Sequence, residues 1–211
     1  MKHLMCAVAA AILLVLPAAV SAQGVGFGVH GNFSVGQLPG PAISTTAKLT
    51  DAYGSGWGGG VQVDLNLVGF SFRFAGDYIG YSLDQQKFRD AYRAAFGAAA
   101  DQISIEGGDL AIYAVSANAK MGIVPLPVVT PYLTAGVGLA WLSVDETKTA
   151  ISSVPGVTTP ANTQSGKTSL NLGAGVDINV GVTLYAEVKY TWVLTSGETS
   201  SYVPVTVGIT F

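Results

Sequence analysis

From Gly24 onward the chain alternates apolar residues with small or polar ones, and it does so in eight separate runs. A period of two is the signature of a strand with two unlike faces, since successive side chains point to opposite sides of the backbone. In Gly24 to Gly36, one face carries Val25, Phe27, Val29, Phe33 and Val35, and the other Gly26, Gly28, His30, Asn32 and Ser34. From Trp57, the apolar set Trp57, Val61, Val63, Leu65 and Leu67 alternates with Gly58, Gly60, Gln62, Asp64 and Asn66. From Phe70, the apolar set is Phe70, Phe72, Phe74 and Tyr78, with Ser71, Arg73 and Asp77 between. Further runs start at Asp109, Pro131, Ser169 and Thr183, placing Lys120, Asp177, Glu187 and Lys189 on polar faces. The eighth run is Val203 to Phe211, with Val205, Val207, Ile209 and Phe211 on the apolar side.

The runs are long, about 10–14 residues each. A tilted strand needs roughly 9–11 residues to cross a bilayer, and ordinary globular strands are about half that length. Composition points the same way. Charged residues make up 11% of the chain, against about 25% in soluble domains, and mean hydropathy is positive. No apolar stretch after Ala22 has the length of a membrane helix. Hydrophobicity spread over alternating strands is the pattern of a transmembrane β-barrel.

The connections also alternate. Val68-Gly69, Val180-Gly181-Val182 and Ile123 to Thr130 are short, whereas Gln37 to Ser55, Ser82 to Gly108 and Asp145 to Lys167 are long, with a shorter Thr195 to Ser201. A two-residue turn at Val68-Gly69 sets Leu67 opposite Phe70, Leu65 opposite Phe72 and Asp64 opposite Arg73, so both faces register together. Short turns at one end and long loops at the other fit a barrel whose long loops lie outside the cell. In the second long loop, Phe88, Tyr92, Phe96 and Ala99 recur at helical spacing, which predicts a short helix within Asp84 to Ile103, with Ser82 and Gln85 as a capping box.

The ends add the compartment. Lys2, the apolar run Cys6 to Leu16, Pro17 and the small residues Val20-Ser21-Ala22 make residues 1–22 a cleavable signal peptide, with 23–211 as one barrel domain. Export would leave the chain without cysteine. The remaining acidic balance argues against nucleic acid, which requires a basic face. A strand that runs to an aromatic last residue pairs with the first strand and leaves no tail.

The terminal Phe211, with Ile209, Val207 and Val205 at alternate positions before it, resembles the C-terminal signal of bacterial outer-membrane barrels. Strand number, strand length and turn asymmetry together resemble the eight-stranded outer-membrane β-barrel family of the OmpA transmembrane domain and OmpX-like proteins, without a peptidoglycan-binding domain after Phe211. The resemblance implies an all-β, antiparallel up-and-down barrel in the cell outer membrane of a Gram-negative envelope. Its partners would be outer-membrane lipid, the assembly machinery that reads the closing strand, and an outside or envelope partner met by the long loops.

Three motifs could carry chemistry. Gly26-Phe-Gly-Val-His-Gly31 matches a dinucleotide fingerprint, but it lies inside an alternating strand, where small residues let a narrow barrel close. His30 is the one histidine after residue 22. With Asn32 and Ser34 on its face it raises a lipid-modifying enzyme, though its mid-strand position suits a satisfied lumen side chain better. The charges Asp64, Arg73, Asp77, Lys120, Asp177, Glu187 and Lys189 form a nearly balanced lumen set, and buried charge must be paired. No catalytic, cofactor-binding or metal-ligating residue is assigned. The reading is a structural or surface-interaction protein on a largely closed barrel. A small pore or ligand-holding barrel competes with it, because the many inward glycines could leave a water-filled gap.

Overall fold

The computed structural model describes residues 24–37, 53–67, 70–87, 90, 103–124, 126, 128–151, 154–159, 162–163, 166–194 and 200–211. Residues 1–22, the Val68-Gly69 turn and most of the loops at 37–55 and 195–201 lie outside them. The strands, in chain order, are β1 (Val25–Gln37), β2 (Gly56–Leu67), β3 (Phe70–Tyr81), β4 (Ile103–Gly107), β5 (Leu110–Gly122), β6 (Val129–Val144), β7 (Thr147–Ile151), β8 (Val154–Thr159), β9 (Asn162–Thr163), β10 (Lys167–Asn179), β11 (Thr183–Val193) and β12 (Ser200–Thr210).

Eight of these close a barrel. Antiparallel pairing runs β1–β2–β3–β5–β6–β10–β11–β12, and β12 returns to β1 with Phe33 opposite Val205 and Val29 opposite Ile209. The seam is sealed to the last residue: Phe211 N donates to Phe27 O at 2.8 Å, and Phe27 N to Phe211 O at 3.2 Å. Closure leaves the barrel sheet without a free edge strand, which is the condition for sheet to survive in hydrocarbon. The β2–β3 register is Leu67 with Phe70, Leu65 with Phe72 and Asp64 with Arg73. The β10–β11 turn uses Gly181 at φ +92°, a left-handed conformation that glycine adopts without steric cost.

The alternation separates an apolar outside from a polar inside. Along β11, Tyr185, Glu187, Lys189, Thr191 and Val193 are buried, while Leu184, Ala186, Val188 and Tyr190 are exposed. Trp57, 68% exposed, is the most open of the large outward apolar residues. Aromatic rings mark both rims. Near the long loops, Phe33 and Trp57 lie 4.7 Å apart, Tyr78 and Tyr113 5.2 Å, and Tyr190 and Trp192 4.5 Å. Near the tight turns, Phe70 meets Phe72 edge-on at 5.5 Å, and Phe211 is exposed. Among the described residues no helix is long and apolar enough to cross a membrane; the strands have the length to do so.

Two expectations about the loops need correction. The long connections at 82–108 and 145–167, read as loops with a helix in the first, also carry strands: β4, β7 and β8 form a separate three-stranded antiparallel sheet, with Ile105 opposite Thr149 and Thr149 opposite Val157. Short β-branched runs favour extended pairing once two loops meet, and no signal local to either loop reports the partner. β9 also pairs with the end of β6. The second correction concerns the helix. Residues 85–87 and 90 are helical, but the cap is Asp84, whose Oδ1 accepts from the backbone N–H of Gln86 at 2.9 Å and of Lys87 at 3.1 Å. Asp84 directly precedes the first helical residue, the position from which a side-chain oxygen reaches those groups; Ser82 lies two residues too early. Of the helical-spacing residues, Phe88, Tyr92, Phe96 and Ala99 lie outside the described residues.

Candidate functional site

The lumen is where the chain concentrates its polar side chains. All seven charged residues marked by the alternation face it, and they fall into three groups. In the first, Arg73 grips Asp64 across the β2–β3 hairpin with two bonds, Nε to Oδ1 at 2.8 Å and Nη2 to Oδ2 at 3.1 Å. Arg73 Nη1 also lies 3.6 Å from Glu187 Oε2, and Lys189 Nζ lies 3.2 Å from Glu187 Oε1. A chain of alternating sign therefore crosses from β2 through β3 to β11, stacked on Tyr185, whose ring centre lies 4.2 Å from the Arg73 guanidinium carbon. In the second group, Lys120 Nζ lies 2.6 Å from Asp177 Oδ2 and 4.0 Å from the centre of the Tyr132 ring.

The third group is built around Asp77, and its nearest cation-capable partner is a histidine. Asp77 Oδ1 lies 2.8 Å from His30 Nε2 and accepts from Asn32 Nδ2 at 2.8 Å. His30 Nδ1 lies 3.1 Å from Gln62 Oε1, which also accepts the Tyr185 hydroxyl. Gln62 Nε2 donates to Thr210 Oγ1 at 2.8 Å, and Thr206 Oγ1 donates to Asn32 Oδ1 at 2.7 Å. Gln62 thus ties the histidine group to the tyrosine that covers Arg73. Gln62, Tyr185, Thr206 and Thr210 were legible as polar-face residues, but their role as connectors depends on pairing across four strands.

Toward the long loops the lumen changes character. Ile79, Tyr81, Leu110, Ile112, Ala140, Leu142, Val193 and Tyr202 form one buried apolar cluster, with Tyr53, Ala114 and Val144 packed against it. These residues keep the inward parity of their strands: Ile79 and Tyr81 continue the Arg73, Ala75, Asp77 series of β3. The cluster is an apolar stopper in the mouth of the barrel. Tyr81 adds a polar tie, donating to Ser34 Oγ at 2.8 Å.

Three of the inward glycines are covered by aromatic rings. A Cβ on Gly56 would sit 2.5 Å from the Tyr81 ring, one on Gly175 2.5 Å from the Tyr132 ring, and one on Gly208 2.6 Å from the Tyr185 ring. Each is a seat for a lumenal ring that crosses to it. Gly28 in the dinucleotide-like motif is likewise closed over, 2.9 Å from the Gln62 side chain at its would-be Cβ. A small cavity of about 20 Å³ remains between the stopper and the charges. An eight-stranded barrel holds little beyond its own side chains.

The arrangement offers no accessible nucleophile at His30. Both of its ring nitrogens face partners, and Ser34 on the same face is 0% exposed, its oxygen bonded by Tyr81. The closing-strand residues Val205, Val207 and Phe211 point outward and are exposed.

Strand count, closure, an apolar exterior between aromatic rims and a filled polar interior define a transmembrane β-barrel. The chain belongs to the outer membrane protein beta-barrel domain family, whose model matches residues 6–211, and it sits in the lipid of the outer membrane. Among solved structures it is similar to Neisserial surface protein A, with 16% identity, 89% of this chain and 96% of that chain covered, and a TM-score of 0.56. It also matches Ail, the attachment invasion locus protein of Yersinia pestis, at 13% identity over 90% of this chain and 100% of that one, TM-score 0.47. The N-terminal barrel domain of Pseudomonas aeruginosa OprF matches at 13% identity over 88% and 97% of the two chains, TM-score 0.44. The likeness to the Neisserial protein is one of fold. No curated protein matches the chain by sequence at a significant level.

Proposed function

We propose that this barrel is a sealed membrane anchor that presents its long-loop end at the cell surface, and that it acts through contacts made there rather than as a pore or an enzyme. The observation that carries the reading is the double filling of the lumen: an apolar stopper from Ile79 to Tyr202 over the bridged charges of Asp64, Arg73, Glu187 and Lys189. A conducting barrel needs a continuous wet path, and neither layer supplies one. An enzyme acting on lipid needs an accessible reactive group at the rim or the membrane face, whereas His30 is buried among Gln62 and Asp77 and Ser34 is buried under the Tyr81 hydroxyl. The sheet of β4, β7 and β8 gives the long-loop end an ordered surface on which a partner could rest.

The reading sets an orientation, with the tight turns in the periplasm and the long loops outside. Protease added to intact cells should cut within 82–108 or 145–167 and leave a membrane-embedded core. Cleavage confined to the tight turns at 68–69 and 181 would reverse the topology and remove the surface role.

A further inference from the structure

We propose that the lumen holds one ordered water molecule that joins Lys189 to Asp77, a second link between the histidine group and the arginine group beside the one through Gln62 and Tyr185. The site is the cavity of about 20 Å³ under the stopper, whose polar wall is made by Asp77, Ser116, Ser169, Asn171, Lys189 and Thr191. A buried water needs roughly 10–15 Å³ and two to four polar partners, and this cavity offers both. Asn171 supplies the second observation. The residue is 8% exposed, and among the described residues its Oδ1 has no hydrogen-bond partner. Buried acceptors are seldom left so, because the lost hydration is not replaced.

The donors and acceptors balance around a single water. Lys189 Nζ carries three N–H donors, one directed toward Glu187. The Asp77 carboxylate has about four acceptor positions, of which His30 and Asn32 both approach the same oxygen, Oδ1. A water in the cavity accepts from Lys189 and donates to Asn171 Oδ1 and to Asp77. The chain Asp64–Arg73–Glu187–Lys189 then continues through water to Asp77–His30–Gln62, and one network spans β1, β2, β3, β10 and β11. A metal cation is disfavoured at the same place, since the Lys189 ammonium lines it.

A high-resolution crystal structure of the full barrel tests this directly. The expected result is one rounded density peak within hydrogen-bonding reach of Asn171 Oδ1, Lys189 Nζ and the Asp77 carboxylate, unchanged in height when rubidium chloride replaces sodium chloride. An empty cavity, or a peak that grows with rubidium, would overturn the proposal. The variant Asn171→Leu gives an independent reading. If water is bound, removing its acceptor lowers the urea midpoint of the refolded barrel. If the cavity is dry, the change removes an orphaned oxygen and the midpoint holds or rises, which also overturns it.

Discussion

Replacing Arg73 with Met is expected to destabilise the refolded barrel by about 3–5 kcal/mol, because it strands carboxylates that have been taken out of water. Arg73 is 3% exposed and holds Asp64 through two bonds while lying near Glu187. Lys189 can still serve Glu187, but among the described contacts Asp64 keeps only a long approach from the Thr210 hydroxyl, at 3.4 Å. Asp64→Asn alone should cost less than Arg73→Met, since the guanidinium retains Glu187. The double change should cost less than the sum of the two, as each single variant pays for one unpaired partner. Arg73→Lys should fall between, because a point charge cannot reproduce the planar fork on Asp64 or the stacking on Tyr185. Urea unfolding in lipid vesicles reads all four. Strict additivity of the Asp64 and Arg73 changes would contradict the pairing.

The second large effect is expected at Gly208. This residue stands directly between His30 on β1 and Tyr185 on β11. A Cβ there would meet two Tyr185 ring carbons at 2.6 Å and His30 Cβ at 2.7 Å, distances that no real contact sustains. Neither ring is free to step aside. Tyr185 is pinned between Arg73 and Gln62, and His30 between Gln62 and Asp77. Gly208→Ala should therefore cost about 1–3 kcal/mol as an overpacked site, and Gly208→Val should keep most of the protein from refolding at all. Gly76 is the control. A Cβ there meets nothing within 4 Å, so Gly76→Ala should stay within about 0.5 kcal/mol. Heat-modifiable migration on gels, which separates folded from unfolded barrels, provides the measurement. Equal behaviour of the two alanine variants would show that inward glycines are not ring seats.

These two sites also show what the sequence can and cannot disclose. Asp64 and Arg73 were legible because the period of two fixes their face and a two-residue turn fixes their register, so both facts are local. Gly208 was legible only as a small inward residue. Whether such a residue leaves a gap or receives a ring depends on Tyr185 and His30, which arrive from other strands. The apolar stopper was hidden for a different reason. At the long-loop ends of β3 and β5 both faces are apolar, as in Tyr78 to Tyr81 and Leu110 to Tyr113, and the contrast that marks a face disappears. Carrying the parity of Arg73 and Asp77 forward to Ile79 and Tyr81 would have found it. The sheet of β4, β7 and β8 was illegible because its strands are short and its pairing joins two loops distant in sequence. The Asp77–His30 contact falls between these cases: both residues were marked as inward, but counting acids against Lys and Arg alone left the histidine out of the charge network.

The sealed lumen is the claim on which the surface role rests, and current through planar bilayers tests it most directly. Purified, refolded protein inserted into a bilayer should give no resolved steps above the bare-membrane baseline at any salt concentration, since Tyr81, Leu142 and Tyr202 fill the mouth and the Arg73 chain crosses below them. Steady unit steps whose size grows with salt concentration would mean a continuous aqueous path through the barrel, and would contradict the account.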